Sequence, residues 1–391
     1  MNRWDVIVVG AGAVGSAALR AASEAGARAL GLEQYAPANQ RGSSHGHSRI
    51  FRHAYFEHPD YVPLLRHATA RFESLERESA TPLLHRCGVL LMGPPDSKVV
   101  RGSLESARRW QLPADALDAA ALRARFPWFS VPDDAIGAFE GDAGIVRPEA
   151  AVHAAIRVAA ARGAELRAGT RVRSIVEDQA GVSVVTDAGV ERASAVIVSA
   201  GAWTSMLLAE FPSLLRVTRQ VQAWFAPSAG TDVSRLPCWL YDCGPDQRPV
   251  YGLAPDPSAP PDAAGHPSPS RHPKVALHGS DVVVDPERGA APVDDSDIER
   301  IRSACAAVAP ALPGALAGAA TCLYTMSPDG HFIMGTRRGC RRTHFAAGLS
   351  GHGFKLAPAL GDALRDLALH GRTELPVGFL APDRFADLPA D

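Results

Sequence analysis

After Asp5, Val6-Ile7-Val8-Val9 is a short apolar β-branched run, the pattern of a parallel strand buried on both faces. It breaks at Gly10-Ala11-Gly12-Ala13-Val14-Gly15, and Ser16 to Ala25 then reads as an Ala-rich helix closing near Gly26. A second strand, Ala27 to Leu32, stops at Glu33. The succession predicts a βαβ unit with G-x-G-x-x-G at its first turn and an acid 18 residues past the last glycine. Gly10 permits the tight turn, Gly12 lets the backbone approach a pyrophosphate, and Gly15 lets helix and strand pack closely. The helix N-terminus offers N–H groups to phosphate, and Glu33 can accept from a ribose hydroxyl. Strand, turn, helix and acid together predict a dinucleotide site; a glycine-rich turn without a ligand is the alternative.

Further along, Pro148 to Gly163 reads as another Ala-rich helix, and Glu165 to Val185 alternates as a hairpin or meander that carries Val172 and Gly181. Ser194 to Ser199 is a Val/Ile strand running into Ala200-Gly201-Ala202-Trp203, small residues that let a cofactor approach or simply make a strand-to-helix turn. Arg219 to Phe225 and Lys274 to Val284 are strand-like and suit a separate antiparallel sheet. Between them, residues 253 to 273 hold seven prolines, a surface insertion that is either passive or a lid. The predicted fold is α/β (α+β overall). A Rossmann-like dinucleotide domain (1–85, 145–215 and 320–391) is interleaved with a mainly antiparallel-sheet substrate domain (86–144 and 216–319).

Composition narrows the function more than the fold. The chain has 391 residues, enough for two or three packed units. Its 40 basic and 42 acidic side chains nearly cancel, so bulk charge gives no reason to expect nucleic acid as a partner. The six cysteines show no CxxC spacing, which argues against a metal site and for a reducing compartment. The N-terminus lacks a signal-peptide pattern and no apolar run is long enough for a bilayer span, so a cytoplasmic protein without a membrane partner is expected. The basic set is 37 Arg and only three Lys, at 98, 274 and 355. Codon bias explains the ratio, and it draws attention to the few lysines retained.

Three segments are richer in functional side chains than a structural segment requires. Residues 41–53 surround His45, Arg49 and Arg52 with small residues, including Ser43; they form either a solvated basic loop or a site for an anionic ring or carboxylate. In Thr321-Cys322-Leu323-Tyr324, composition leaves Cys322 as a small buried hydrophobe or a reactive thiol. In Gly348-Leu349-Ser350-Gly351-His352-Gly353-Phe354-Lys355, glycines precede a predicted helix at 356–369. Lys355 opens that helix against its macrodipole, which suggests that its ammonium serves a ligand.

Together with the fingerprint, the Gly-Ser-Ser-His-Gly run with Arg49 and Arg52, the Cys-Leu-Tyr-Thr run and the Ser-Gly-His-Gly-Phe-Lys run resemble the monomeric sarcosine oxidase and N-methyltryptophan oxidase family of amine-oxidising flavoproteins. The resemblance covers nearly the whole chain and is weakest in the middle. It implies an FAD enzyme whose flavin is bonded covalently to Cys322, and it replaces the bland reading of that residue. It also implies a cofactor set of Gly10, Gly12, Gly15, Glu33, Ser43, Val172, Gly201, Cys322, Gly351, Gly353 and Lys355. His45 and Arg49 match residues close to the flavin ring, and Arg52 and Lys355 match a clamp for the substrate carboxylate. Tyr324, Tyr251 and His278 match residues lining the amine pocket, and Lys274 matches an oxygen-activating lysine. The long insertion makes the match at Tyr251 weaker than that at Lys274. A monomeric oxidase of a small-molecule secondary amine, reducing oxygen to hydrogen peroxide, is expected. A flavin dehydrogenase with another acceptor and a non-catalytic flavin subunit are the alternatives.

Overall fold

The computed structural model describes residues 4–211, 214–259 and 268–385. The apolar run forms strand Trp4–Val9, flanked in parallel by Ala29–Leu32 and by Gly189–Val198. Ala29–Leu32 pairs in turn with Glu165–Arg167. The second half of Gly189–Val198 pairs with Thr343–Ala347, and its first half pairs antiparallel with Gly181–Thr186 in the meander begun by Val172–Asp178. Helix Ala13–Glu24 packs on this sheet, with Pro148–Ala161 and Ala357–His370 against it. Val6, Val8, Leu19, Leu360 and Leu364 are buried together on the helix side, and Ile7 and Val9 are buried with Val182 and Phe211 on the other, which explains why the central strand is apolar on both faces.

The second sheet has eight strands in the order Leu316–Met326, Arg216–Phe225, Lys274–Leu277, Val250–Leu253, Cys238–Tyr241, Val89–Gly93, Ile136–Glu140, Asp115–Leu117. All neighbours are antiparallel except Cys238–Tyr241 beside Val89–Gly93. Side chains alternate across it. Val250, Val275, Ala223 and Phe225 pack beneath helix Asp295–Val308, while Tyr251, Leu253 and Lys274 point the other way into a cleft. A small third sheet joins Arg49–Phe51, Gly144–Val146 and Leu84–His85.

Two expectations change. The strand predicted over Lys274 to Val284 ends at Leu277, because Gly279 turns the chain at φ +86°, and only a single bridge between Thr218 and Val283 continues it. The helix after Lys355 starts at Ala357, preceded by a 3-10 turn, Phe354–Leu356, that carries the lysine. Residues 260–267 of the Pro-rich insertion lie outside the described residues. Its described ends are tied down: Asp256 donates its N–H to Ser270 O at 2.7 Å and accepts from Arg147 at 2.6 Å. Among the described residues no helix is long and apolar enough to cross a membrane, and no grouping of His, Cys, Asp or Glu could hold a metal ion.

Candidate active site

One cleft runs from the carboxyl ends of the parallel strands to the face of the second sheet, the position that open α/β sheets give to ligands. At its first end Gly10 sits at φ +87°, and a Cβ there would lie 2.6 Å from Ser199 O. A Cβ on Gly15 would come within 1.8 Å of Gly10 O, so Gly15 sets the approach of helix to strand. Gly12 is different: its Cβ would meet only Ser44 Oγ, at 3.2 Å, leaving backbone open to the cleft. Ser44, which sequence reasoning passed over, accepts the helix-start N–H of Ala13 at 3.0 Å. Glu33 accepts from the N–H groups of Ala11 and Tyr35, at 2.8 and 2.9 Å, and burial pushes its carboxyl up. Val172 and Gly201 line the same end; Gly201, at φ +53°, has open space where a Cβ would stand. Beside it Trp203 meets Tyr35 edge-on.

Along the middle, strand alternation turns Cys322 and Tyr324 to one face. Cys322 is buried, and its Sγ is 3.6 Å from Arg49 Nη2. The guanidinium also donates to Ser48 O and to Ser43 O, each at 2.9 Å, while Ser43 Oγ donates to Leu323 O at 2.5 Å. His45 is brought near but lies behind the cleft wall rather than on it. Burial, followed by the charge of Arg49, lowers its pKa to about 4, and its Nε2 has no hydrogen-bond partner among the described residues. Lys274 is fully enclosed and donates to Gly46 O at 2.9 Å and Ser48 O at 2.6 Å, with its Nζ 5.7 Å from the ring centre of Trp224. Burial, and then Arg49, pushes its pKa well below the ordinary lysine value.

The far end gathers Arg52, Lys355, Tyr251, Tyr324 and His278. His278 lies between the two tyrosines, with ring centres 6.2 Å from Tyr251 and 5.9 Å from Tyr324, and burial lowers its pKa. Burial pushes both phenols up. Gly351, at φ +80°, supports this arrangement, since a Cβ there would stand 2.3 Å from Tyr324 Cε2. Gly353 likewise leaves room for Leu349. These two glycines shape the protein wall, a packing role that the run of glycines did not reveal.

Arg52 is not a free cation. Its Nη2 is held by both oxygens of Glu57, at 3.0 and 2.8 Å, and its Nη1 donates to Ala54 O at 2.5 Å. Those bonds use three of the five guanidinium N–H donors. Glu57, missed in the sequence, is driven by Arg52, His352 and Lys355 down to about 2 against the opposing pull of burial, the largest single influence on it. Lys355 donates to His352 O at 3.0 Å and lies 3.4 Å from Tyr55 Oη. Tyr55 in turn is 2.6 Å from His352 Nδ1, and His352 Nε2 is 3.0 Å from Gly330 O. Burial, then Arg52, lowers the Lys355 pKa to about 7, and burial lowers that of His352 to about 4. With Nε2 donating to Gly330, His352 Nδ1 is the acceptor for the Tyr55 hydroxyl.

The residues fit FAD. An open backbone at Gly12, a ribose acceptor at Glu33 and the guanidinium of Arg49 line one cleft, and the orphaned, buried Nε2 of His45 lies behind its wall.

Comparison with known proteins agrees. The family model described as FAD dependent oxidoreductase matches residues 5–367. Monomeric sarcosine oxidase of Streptomyces avermitilis is 38% identical over 391 residues, with 99% of each chain covered. N-methyl-L-tryptophan oxidase of Salmonella typhimurium is 36% identical, covering 95% of this chain and 96% of its own. Among solved structures, NikD, an unusual amino acid oxidase essential for nikkomycin biosynthesis, superposes with a TM-score of 0.82 at 26% identity and 98% coverage of both chains. L-Proline dehydrogenase from P. horikoshii shares the fold at a TM-score of 0.80 and 18% identity. The chain belongs to the FAD dependent oxidoreductase family, on the branch that contains monomeric sarcosine oxidase and N-methyltryptophan oxidase.

Proposed function

We propose that the protein oxidises the secondary amine of an amino acid, N-methyl or cyclic, to an imine that water hydrolyses, with oxygen reduced to hydrogen peroxide. The observation that carries this reading is the order of groups along the cleft: a dinucleotide cradle, then Arg49 with Cys322, then two cations beside two tyrosines and a neutral imidazole, with one buried lysine at the side. Bound FAD, anchored at Cys322, would take up two electrons from the amine and pass them to oxygen.

The protein supplies position and charge. Lys355 and the two spare donors of Arg52 hold the substrate carboxylate. Because Glu57 balances Arg52, the net attraction rests on Lys355. Tyr251 and Tyr324 wall the pocket, and His278, kept neutral by burial, is available to accept an amine proton. Arg49 keeps a fixed positive charge where negative charge builds up in a site closed to water, with His45 behind it. Lys274 stands where oxygen is reduced. An anion formed beside it restores the preference for the ammonium form that burial removes, so the group is poised to stabilise superoxide.

The reading gives FAD to residues 1–85, 145–215 and 320–391 and the amine to 86–144 and 216–319, with strand Leu316–Met326 crossing that boundary. A monomer in the cytoplasm completes it, and none of the six cysteines is in a disulfide. A panel of N-methyl and cyclic amino acids, followed by anaerobic flavin bleaching and by peroxide formed in air, tests it. Bleaching with stoichiometric peroxide is expected; bleaching without peroxide would make the protein a dehydrogenase, and neither would make it a non-catalytic flavin protein.

A further inference from the structure

Away from the groups that act on the amine, the second sheet brings two thiols together. Cys87 precedes strand Val89–Gly93 and Cys238 opens strand Cys238–Tyr241, and the two strands pair with Cys238 opposite Val89. The sulfurs are 3.8 Å apart, in van der Waals contact, although 151 positions separate them in the chain. Cys87 is half-buried and Cys238 fully buried. A hydrogen bond from Cys238 lowers the Cys87 pKa, while burial raises that of Cys238, so Cys87 is the readier thiolate. Cys238 packs with Leu253, the strand partner of Lys274, so the pair lies close to the lysine to which the oxidase reading gives oxygen reduction.

We propose that Cys87 and Cys238 form a peroxide-sensitive dithiol, a modification site that hydrogen peroxide closes to an intramolecular disulfide. The source of that peroxide rests on the oxidase reading above. The accessible Cys87 thiolate attacks one peroxide oxygen, the O–O bond breaks, and with a proton the products are a Cys87 sulfenic acid and water. The Cys238 thiol then attacks the sulfenic sulfur, forming the S–S bond and releasing a second water. Two thiols are oxidised and one peroxide is reduced. The sulfurs must approach from 3.8 Å to about 2.05 Å.

The holoprotein, fully reduced and freed of reductant, is treated with hydrogen peroxide, alkylated and mapped by mass spectrometry. The expected result is loss of two thiols per chain, a linked Cys87–Cys238 peptide lighter by two hydrogens, and reversal by dithiothreitol. In Cys238→Ser, Cys87 should instead accumulate sulfinic acid. Full alkylation of Cys87 and Cys238 while Cys340 or Cys243 is oxidised would overturn the proposal. A second arm runs amine turnover in air with and without catalase. A linked peptide that catalase prevents supports both readings. Closure by added peroxide, with no peroxide from any amine, supports the dithiol and sinks the oxidase reading. Peroxide production with the pair still reduced overturns the dithiol alone.

Discussion

Gly351→Ala is expected to damage turnover far more than stability, and the geometry gives both magnitudes. The backbone at Gly351 has φ +80°, where an L side chain costs about 1–2 kcal/mol. The new Cβ would also stand 2.3 Å from Tyr324 Cε2, whereas ordinary contact begins at 3.4 Å, so the ring must retreat by 3.4 − 2.3, or 1.1 Å. A displacement of about 1 Å in a group that positions substrate can cost roughly 100-fold in rate, equivalent to about 2.7 kcal/mol of transition-state stabilisation. Gly371→Ala separates the two effects. Gly371 has φ +73° and caps the helix Ala357–His370, but nothing lies within 4 Å of its Cβ. Both variants should lose a few degrees of Tm, on the order of the strain alone. Only Gly351→Ala should lose kcat/KM for the best amine, by roughly two powers of ten. Melting curves and steady-state kinetics on the two proteins decide the matter. Equal kcat/KM in Gly351→Ala and wild type would refute the claim that this glycine exists to seat Tyr324.

Three other outcomes follow from the same geometry. Lys355 titrates near 7 and must be charged to hold the substrate carboxylate, so KM should rise as pH increases through about 7, while Lys355→Met should show a high KM that is flat across that range. A wild-type KM that does not change between pH 6 and 9 would remove Lys355 from the clamp. Cys322→Ser should release its flavin into the supernatant on acid precipitation, where wild type keeps colour in the pellet; flavin freely extracted from both would end the covalent assignment. Gly15→Ala, whose Cβ would meet Gly10 O at 1.8 Å, should separate helix Ala13–Glu24 from strand Trp4–Val9 and yield protein with little or no FAD; full flavin content would contradict the packing argument.

The features legible in the sequence were those written in local pattern. The run Asp5 to Val9, the three glycines and Glu33 specify a βαβ turn whose parts are adjacent in the chain. Cys322 and Tyr324 share a face because a strand repeats every two residues. Glu57, Tyr55 and His352 were passed over, since each takes its meaning from a distant partner: Tyr55 and His352 are 297 positions apart and 2.6 Å in space. The same reason hid the function of Gly351, whose neighbour Tyr324 arrives from another strand. Lys274 to Val284 was read too long because β-branched residues continue past Leu277, whereas the turn at Gly279 is set by backbone conformation. His45 was legible as a functional residue, but its place behind the wall was not.

The central claim is that one buried lysine serves oxygen while the cation pair serves the amine, and Lys274→Met tests it by splitting the reaction in two. Lys274 Nζ already satisfies Gly46 O and Ser48 O, so some loss of stability will accompany the change, and the ratio of the two half-reactions is the informative quantity. Its charge beside a developing superoxide is worth about 4 kcal/mol at a contact distance of roughly 4 Å and an effective dielectric constant near 20, or up to about three powers of ten in rate. Stopped-flow mixing with amine under anaerobic conditions should show flavin bleaching within a few-fold of wild type. Mixing the bleached enzyme with oxygen should show colour returning roughly 100 to 1000 times more slowly, and equal slowing of both halves, or of the first alone, would contradict the account.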